Sequence, residues 1–261
     1  MNKNAIPTFA WFVPLVPLTL AGIIYFGEFQ SSSFLFINQL TQQLPDNLWT
    51  WLTFFGNGWG VFAFAFPLLL IAPRMLSAGI FSGALAGLIS TPLKTFFSLP
   101  RPGGVLTEGS FYRIGDILLH KALPSGHTLT AFAVATGLYF SVNKGKRKPL
   151  LVLFVLAALV GLSRNAVGAH WFTDVLAGAG LGIWCGMFGA LLANLLPEAT
   201  LKPNKIWPRL IAISGLVSIY AHITQVMDLE LNQPLQYASI AVLITTLIFF
   251  GKAQLSRSRT L

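Results

Sequence analysis

The chain has 261 residues, of which 54% are apolar and 10% are charged, and its mean hydropathy is +0.69. This composition excludes an ordinary water-soluble globular domain, in which about 25% of the residues are charged, and indicates a protein embedded in a bilayer. The formal net charge of +9 does not lead us to expect a nucleic-acid partner, because the densest basic cluster, residues 144–148, lies in a short turn between apolar runs, where it favours a cytoplasmic location beside anionic lipid headgroups.

Apolar runs long enough to cross about 30 Å of hydrocarbon recur along the chain. Eight spans are predicted, at residues 6–27, 51–72, 75–97, 125–142, 149–163, 172–196, 207–223 and 235–251. The first is too long for the core of a signal peptide, so we expect it to be retained. Because there is no repeat of fixed period and no long linker, the sequence predicts one membrane domain over residues 1–261 and an all-α fold, a polytopic transmembrane helix bundle.

The distribution of basic residues predicts the orientation of this bundle. With both termini in the cytoplasm, twelve of the 17 Lys and Arg residues lie on the cytoplasmic side, namely Lys3, Arg74, Lys144, Lys146, Arg147, Lys148, Lys202, Lys205, Arg209, Lys252, Arg257 and Arg259. The five that lie outside are Lys94, Arg101, Arg113, Lys121 and Arg164. Since cations are scarce on that side, we infer that the exceptions are kept for a function.

Between the first two spans, apolar residues at three- and four-residue spacing predict an interfacial helix along the outer leaflet. They are Ile37, Leu40, Leu44 and Leu48, and Pro45 interrupts them. The segment is either a connector that rests on the headgroups or a lip that guides a lipid sideways into a site.

Two basic residues lie near the outer end of the third span. Lys94 is followed by Arg101 and Pro102 after a short break, and both cations can reach one anion. At the outer end of the fifth span, Arg164 follows Ser163 and offers a planar fork that can bind phosphate oxygens in pairs. Each cation alone is also compatible with snorkelling to the membrane surface.

The string Pro124-Ser125-Gly126-His127 begins the fourth span. The free backbone N–H groups of a helix start favour an anion there. Ser125 adds a hydroxyl donor, Gly126 permits close approach to the backbone, and His127 could protonate a leaving oxygen as a general acid. Taken alone, the string is as typical of an ordinary helix start followed by an incidental histidine.

His170 opens the sixth span and Asp174 follows four residues later, which places both side chains on one helix face. The carboxylate can accept the proton of one ring nitrogen, which holds the other nitrogen neutral and ready to act as a nucleophile. Taken alone, such a pair is more often an interfacial histidine with an aspartate cap. The single Cys185 lies in this span, so neither a disulfide nor a cysteine-rich metal site is expected.

Taken together, the three strings resemble the signature of the type-2 phosphatidic acid phosphatase superfamily, also called lipid phosphate phosphatases. The matching positions are Lys94-x6-Arg101-Pro102, Pro124-Ser125-Gly126-His127 and Ser163-Arg164-x5-His170-x3-Asp174. The resemblance covers residues 94–174 directly and implies a six-helix phosphatase core. Two further spans, at about residues 207–251, exceed that core and are interpreted as packing against a partner, lining an acyl groove or extending the bundle.

The resemblance implies a metal-independent double displacement that needs no cofactor. In this mechanism His170 attacks phosphorus to give a phosphohistidine, Asp174 orients it, and His127 protonates the leaving group before water releases phosphate. The phosphoryl oxygens would be held by Lys94, Arg101, Ser125, Gly126 and Arg164.

The expected partners are therefore the bilayer and a phosphorylated membrane lipid. Among bacterial relatives, undecaprenyl diphosphate or phosphatidylglycerophosphate is the first choice of substrate, at the outer face of the inner membrane. The outer loop, residues 103–122, is long enough to contact a headgroup and is either the selectivity element or a polar cover. One alternative is a phosphotransferase that passes the phosphoryl group to lipid A or another lipid. Another is a transporter of a phosphorylated or anionic solute.

Overall fold

A computed structural model describes residues 5–258, and these residues form eleven α-helices and no β-strand. In chain order they are α1 Leu15–Phe26, α2 Gln30–Thr41, α3 Asp46–Phe54, α4 Gly58–Ala65, α5 Leu68–Ile71, α6 Pro73–Phe97, α7 Gly126–Ser141, α8 Val152–Ala166, α9 Phe172–Leu195, α10 Ile206–Thr224 and α11 Gln233–Ser258. The predicted all-α bundle is confirmed. Lys3 and Arg259, which the orientation argument used, lie outside the described residues.

Six helical segments of the described chain are long and apolar enough to cross a membrane. They are Thr8–Phe26, Pro73–Gly104, Lys148–Ala166, Phe172–Leu195, Glu198–Thr224 and Glu230–Leu255. Each coincides with one of the eight predicted spans. The chain is a multi-pass membrane protein.

The other two predicted spans differ from a full-length membrane helix. The run at residues 51–72 is divided among α3, α4 and α5, because Gly56 and Asn57 break it before α4 and Pro67 breaks it before α5. The run at residues 125–142 forms α7, whose 16 residues are about 24 Å long. Both segments are therefore shorter than the hydrocarbon layer, and both contribute residues to the site described below.

Helix α7 lies at the centre of the bundle, where it packs against α6, α8 and α9. Glycines of α9 at four-residue spacing allow the two backbones to meet, since a Cβ on Gly178 would lie 2.7 Å from the Ser125 carbonyl and one on Gly182 would lie 2.5 Å from the Leu129 carbonyl. Small residues at such spacing are the usual means of close helix packing in membranes. This packing fixes the start of α7 against the start of α9.

The two C-terminal helices pack on the broken second run. Phe66, between α4 and α5, is fully buried in a cluster with Leu69, Ile211 of α10 and Leu243 of α11. Gly215 of α10 admits this ring, because a Cβ there would overlap it. The loop between α10 and α11 consequently lies over the α3–α4 break.

The segment predicted as an interfacial helix is two helices, α2 and α3, separated at residues 42–45. Pro45 directly precedes α3, where its extended backbone ends the preceding turn. Leu40 and Leu44 are about half exposed, whereas Asn38 on the opposite face of α2 is buried. The exposed apolar face suits contact with the membrane surface.

Candidate active site

His170 lies in the turn between α8 and α9, where the packing of both helices fixes its ring. Its side chain is 2% exposed, and its Nδ1 lies 3.1 Å from Asp174 Oδ2. The same carboxylate oxygen accepts the Trp171 backbone N–H at 2.9 Å, and Asn165 donates to the His170 carbonyl at 2.8 Å. With Nδ1 committed to the carboxylate, Nε2 is the nitrogen that can attack an electrophile.

The turn before His170 is possible because Gly168 has a φ of +74°. A Cβ at that position would lie 2.8 Å from the Tyr112 carbonyl, so glycine also lets the outer loop approach. The Gly168–His170 turn thus joins the end of α8, the outer loop and the start of α9.

The start of α7 faces the start of α9. The Ser125 backbone N–H donates to the Asp174 carbonyl at 3.0 Å. The Ser125 hydroxyl is fully buried and accepts the hydroxyl proton of Thr128 at 2.9 Å, so its own proton remains available to an anion. Lys94 Nζ lies 3.7 Å from the point where a Cβ on Gly126 would sit, so the ammonium group faces the first residue of α7.

Arg101 is buried and ties the outer loop to the His170 turn. Its Nε donates to the His120 carbonyl at 2.8 Å, and its Nη1 donates to the Ala169 carbonyl at 2.9 Å. A longer contact of 3.4 Å joins Nη2 to the Lys121 carbonyl. A guanidinium has five N–H donors, so two remain for a ligand.

Arg164, near the end of α8, is 6% exposed. Its Nη1 donates to Thr53 Oγ1 of α3, whereas its Nε is buried without a hydrogen-bond partner among residues 5–258. A buried N–H group left unpaired is costly, so this donor suits an anionic ligand.

Charged groups from all three sequence strings act on the His170 ring. Burial lowers the pKa of His170 well below its ordinary value, and the charges of Arg101, Arg164 and Lys94, and then His127, lower it further. A neutral His170 is therefore favoured, as a nucleophile requires. All eight residues selected from the sequence lie around the starts of α7 and α9.

Sequence reasoning missed three contributors to this site. Thr53 anchors Arg164, Asp228 binds His127, and Asn57 binds Asp228. Thr53 and Asn57 reach the site because the second run is broken, and Gly56 permits this approach, since a Cβ there would lie 2.7 Å from His127 Cβ. The available clue to Asp228 was its position in an outer loop on the same side as the three motifs.

The outer loop predicted to control selectivity is anchored at both ends. The Arg101 N–H donates to the Leu119 carbonyl at 2.9 Å, and the Ala122 N–H donates to the Leu99 carbonyl at 3.0 Å. Its polar residues Glu108, Arg113, Asp116, His120 and Lys121 are exposed. Among the described residues, no cluster of three or more His, Cys, Asp or Glu side chains could hold a metal ion.

Part of the chain is similar to known phosphatases. Residues 74–197 match the PAP2 superfamily. A lipid A 1-phosphatase of Rhizobium etli is 30% identical over 150 residues, which are 53% of this chain and 60% of that protein. Phosphatidylglycerophosphatase B of Bacillus subtilis is 38% identical over 76 residues, which are 25% of this chain and 37% of that protein. The chain thus spans less than two thirds of the length of either relative.

A solved structure has a similar fold over part of the chain. The crystal structure of Aquifex aeolicus LpxE superimposes with a TM-score of 0.53 at 29% sequence identity. The match covers 62% of this chain and 94% of that protein.

Proposed function

The chain carries a PAP2 superfamily domain at residues 74–197, and on that premise we propose that it is a membrane phosphatase that hydrolyses a phosphorylated lipid. The observation that carries the proposal is His170, a buried histidine whose Nδ1 binds a carboxylate and whose ring lies among three cations. A neutral nitrogen among fixed positive charges suits an attack on a phosphoryl group.

In the proposed first step, His170 Nε2 attacks phosphorus and the bond from phosphorus to the leaving oxygen breaks. Asp174 stabilises the positive charge that develops on the ring. The leaving oxygen takes a proton from His127, so the lipid departs as an alcohol, or as a lipid monophosphate when the substrate is a diphosphate.

In the second step, water attacks the phosphohistidine and gives a proton back to His127. The P–N bond breaks, inorganic phosphate leaves and His170 returns to its neutral form. The same clamp serves both steps, because Lys94, Arg101 and Arg164 with Ser125 and the backbone of Gly126 would hold the phosphoryl oxygens.

The membrane supplies the substrate in this proposal. Phe96 and Phe97, which follow Lys94 at the end of α6, are 80% and 43% exposed. Apolar side chains beside a cationic site suit a molecule whose chain stays in the bilayer while its phosphate enters the site. We place the site at the outer face of a bacterial inner membrane, with both termini in the cytoplasm, because that orientation places most basic residues inside.

For the substrate we propose undecaprenyl diphosphate or phosphatidylglycerophosphate, and the name of the Bacillus subtilis relative supports the second. The test is a phosphate-release panel with the reconstituted protein on these two lipids, phosphatidate and lipid A, with and without a chelator. We expect release from at least one lipid that survives chelation and is lost in His170→Ala.

The same panel separates hydrolysis from transfer. In a mixture of two lipids, phosphorylation of the second lipid without free phosphate would contradict the hydrolase. Loss of phosphate release on chelation would contradict the metal-independent mechanism.

A further inference from the structure

A carboxylate from outside the PAP2 domain binds the proposed general acid. His127 Nε2 lies 2.9 Å from Asp228 Oδ1, and the two side chains are 20% and 18% exposed. Asp228 lies in the loop between α10 and α11, beyond the end of the domain at residue 197. The two additional C-terminal spans therefore deliver a charged group to the site.

Asp228 is held by more than this one contact. Its second carboxylate oxygen accepts a hydrogen bond from Asn57 Nδ2 at 3.1 Å. Asn57 is itself fixed as the N-cap of α4, where its Oδ1 accepts the Trp59 backbone N–H at 2.9 Å. Both carboxylate oxygens are thus directed by partners of defined position.

The loop that carries Asp228 is built from buried polar contacts. Gln236 Nε2 donates to the Gln225 carbonyl at 2.8 Å and to the His222 carbonyl at 3.1 Å. Asn232 Nδ2 donates to the Met227 carbonyl at 3.0 Å. Asp228 adopts a φ of +65°, a left-handed value that aspartate tolerates better than most non-glycine residues.

The charges around His127 indicate what its contact with Asp228 does. Burial lowers the pKa of His127, and the charges of Arg164 and Lys94 lower it further, whereas the charge and hydrogen bond of Asp228 oppose this shift. Asp228 is the carboxylate that binds the ring directly. Burial raises the pKa of Asp228, but the charge of His127 and its hydrogen bond outweigh that effect, with a further contribution from Arg164, and hold the pKa below its ordinary value. The carboxylate therefore stays ionised at neutral pH.

We propose that Asp228 is a positioning residue for His127, which keeps the Nε2 proton in place and favours the protonated ring needed to protonate the leaving group. This inference rests on the proposed phosphatase function. With Nε2–H donated to Asp228, Nδ1 carries the proton that passes to the leaving oxygen, and Nδ1 recovers a proton from water in the second step. Asp228 itself neither gains nor loses a proton.

The experiment compares Asp228→Asn with the matched control Glu230→Gln, which removes an exposed negative charge from the same loop. Asparagine Oδ1 can still accept from Nε2–H, so the variant removes the charge and keeps that hydrogen bond, although its amide nitrogen then faces Asn57 Nδ2 and the second carboxylate contact is lost. We expect kcat on the lipid substrate to fall about 10- to 100-fold in Asp228→Asn. This loss is smaller than the rate enhancement of about 10²- to 10⁴-fold that a general acid usually contributes. The basic limb of the kcat profile should move to lower pH. Glu230→Gln should behave as the parent.

Two further readouts separate this role from a structural one. With p-nitrophenyl phosphate, whose leaving group needs no protonation, kcat/KM reports only the formation of the phosphohistidine, so the loss of kcat/KM seen with the lipid substrate in Asp228→Asn should largely disappear. In a double-mutant cycle, Asp228→Asn should add little to His127→Ala, because both remove one function. Equal losses on both substrates, or additive losses, would overturn the inference.

Three other results would overturn the inference, and the last of them would overturn the proposed function as well. If Asp228→Asn turns over faster than the parent and binds inorganic phosphate more tightly, the carboxylate occupies the phosphoryl position and the inference is wrong. If the activity of Asp228→Asn matches that of the parent, the inference fails while the proposed phosphatase function is unaffected. If the parent releases phosphate from none of the four lipids or from p-nitrophenyl phosphate, the proposed function fails and the inference falls with it.

Discussion

Asp174 binds both the His170 ring and the backbone of the residue that follows it. One carboxylate oxygen, Oδ2, lies 3.1 Å from His170 Nδ1 and 2.9 Å from the Trp171 backbone nitrogen. The carboxylate thereby fixes the tautomer of the ring and the first turn of α9 together. One carboxylate therefore holds both the proposed nucleophile, His170, and the start of α9.

Replacing this carboxylate by an amide should remove activity while leaving the fold in place. In Asp174→Asn an amide N–H can face Nδ1 and favour the wrong tautomer, so we expect kcat to fall about 10²- to 10⁴-fold. Phosphate release by the purified protein measures this loss. The matched control is Asp46→Asn, whose carboxylate binds the Tyr112 hydroxyl on the surface. Similar losses in both variants would argue against a specific role for Asp174.

Arg164→Lys should reduce activity although it keeps the charge. Lysine cannot reproduce the contact with Thr53 and present a second N–H group in the same plane. We expect kcat/KM to fall about 10- to 100-fold, the order seen on removing one transition-state donor. Arg209→Lys, at an exposed position of α10, is the control. An unchanged rate in Arg164→Lys would reduce Arg164 to a structural anchor.

The pH dependence should reveal the cations around His170. Because burial and then the neighbouring cations lower its pKa, the folded ring stays neutral below pH 6.5 while the unfolded ring takes up a proton. Folding free energy from this group is therefore lost as pH falls below the ordinary value. Lys94→Gln removes one of the cations, so the acid limb of kcat/KM should move to higher pH.

The Lys94→Gln shift is measured against the parent on the same substrate, so that ionisation of the substrate phosphate cancels. Lys202→Gln, on the opposite side of the bundle in the predicted orientation, should not move the limb. A limb that stays in place or moves to lower pH in Lys94→Gln would contradict the electrostatic account.

Asn38 should be a stability determinant of the outer loop. Its amide donates to the Tyr112 and Asn165 carbonyls at 2.9 Å each, and its oxygen accepts the Tyr112 N–H at 2.8 Å. Asn38→Ala leaves these groups unpaired, which should lower the free energy of unfolding by about 3 kcal/mol. Thermal unfolding in detergent, compared with Gln39→Ala on the exposed face of α2, measures the effect. Equal stability of the two variants would contradict it.

Much of the fold could be predicted because its determinants are local. Long apolar runs predict the six membrane-crossing helices, and Pro45 predicts the break before α3. The sequence does not predict the division of residues 51–72, because the high mean hydropathy of this run outweighs the helix-breaking residues within it. Gly56, Asn57 and Pro67 carry the breaks, and the break at Gly56 and Asn57 brings Thr53 and Asn57 to the site.

The site was predictable to the extent that its residues fall in contiguous strings. His170 and Asp174 are joined by helix geometry, and Ser125 precedes the helix that it caps. Asp228 was not predictable in this way. It is 101 positions from His127 in sequence, and their contact depends on how α10 and α11 pack on the broken second run.

The most direct test of the central claim is to trap the covalent intermediate. His127→Ala should accumulate acid-labile phosphate on His170 when supplied with a ³²P-labelled phosphate ester of a good leaving group, because the attack of His170 needs no general acid there, whereas the attack of water on the phosphohistidine needs His127 as a general base. Peptide mapping should place the label on His170, and His127→Ala combined with His170→Ala should take up none. Label that persists in the double variant, or that maps to another residue, would contradict the account.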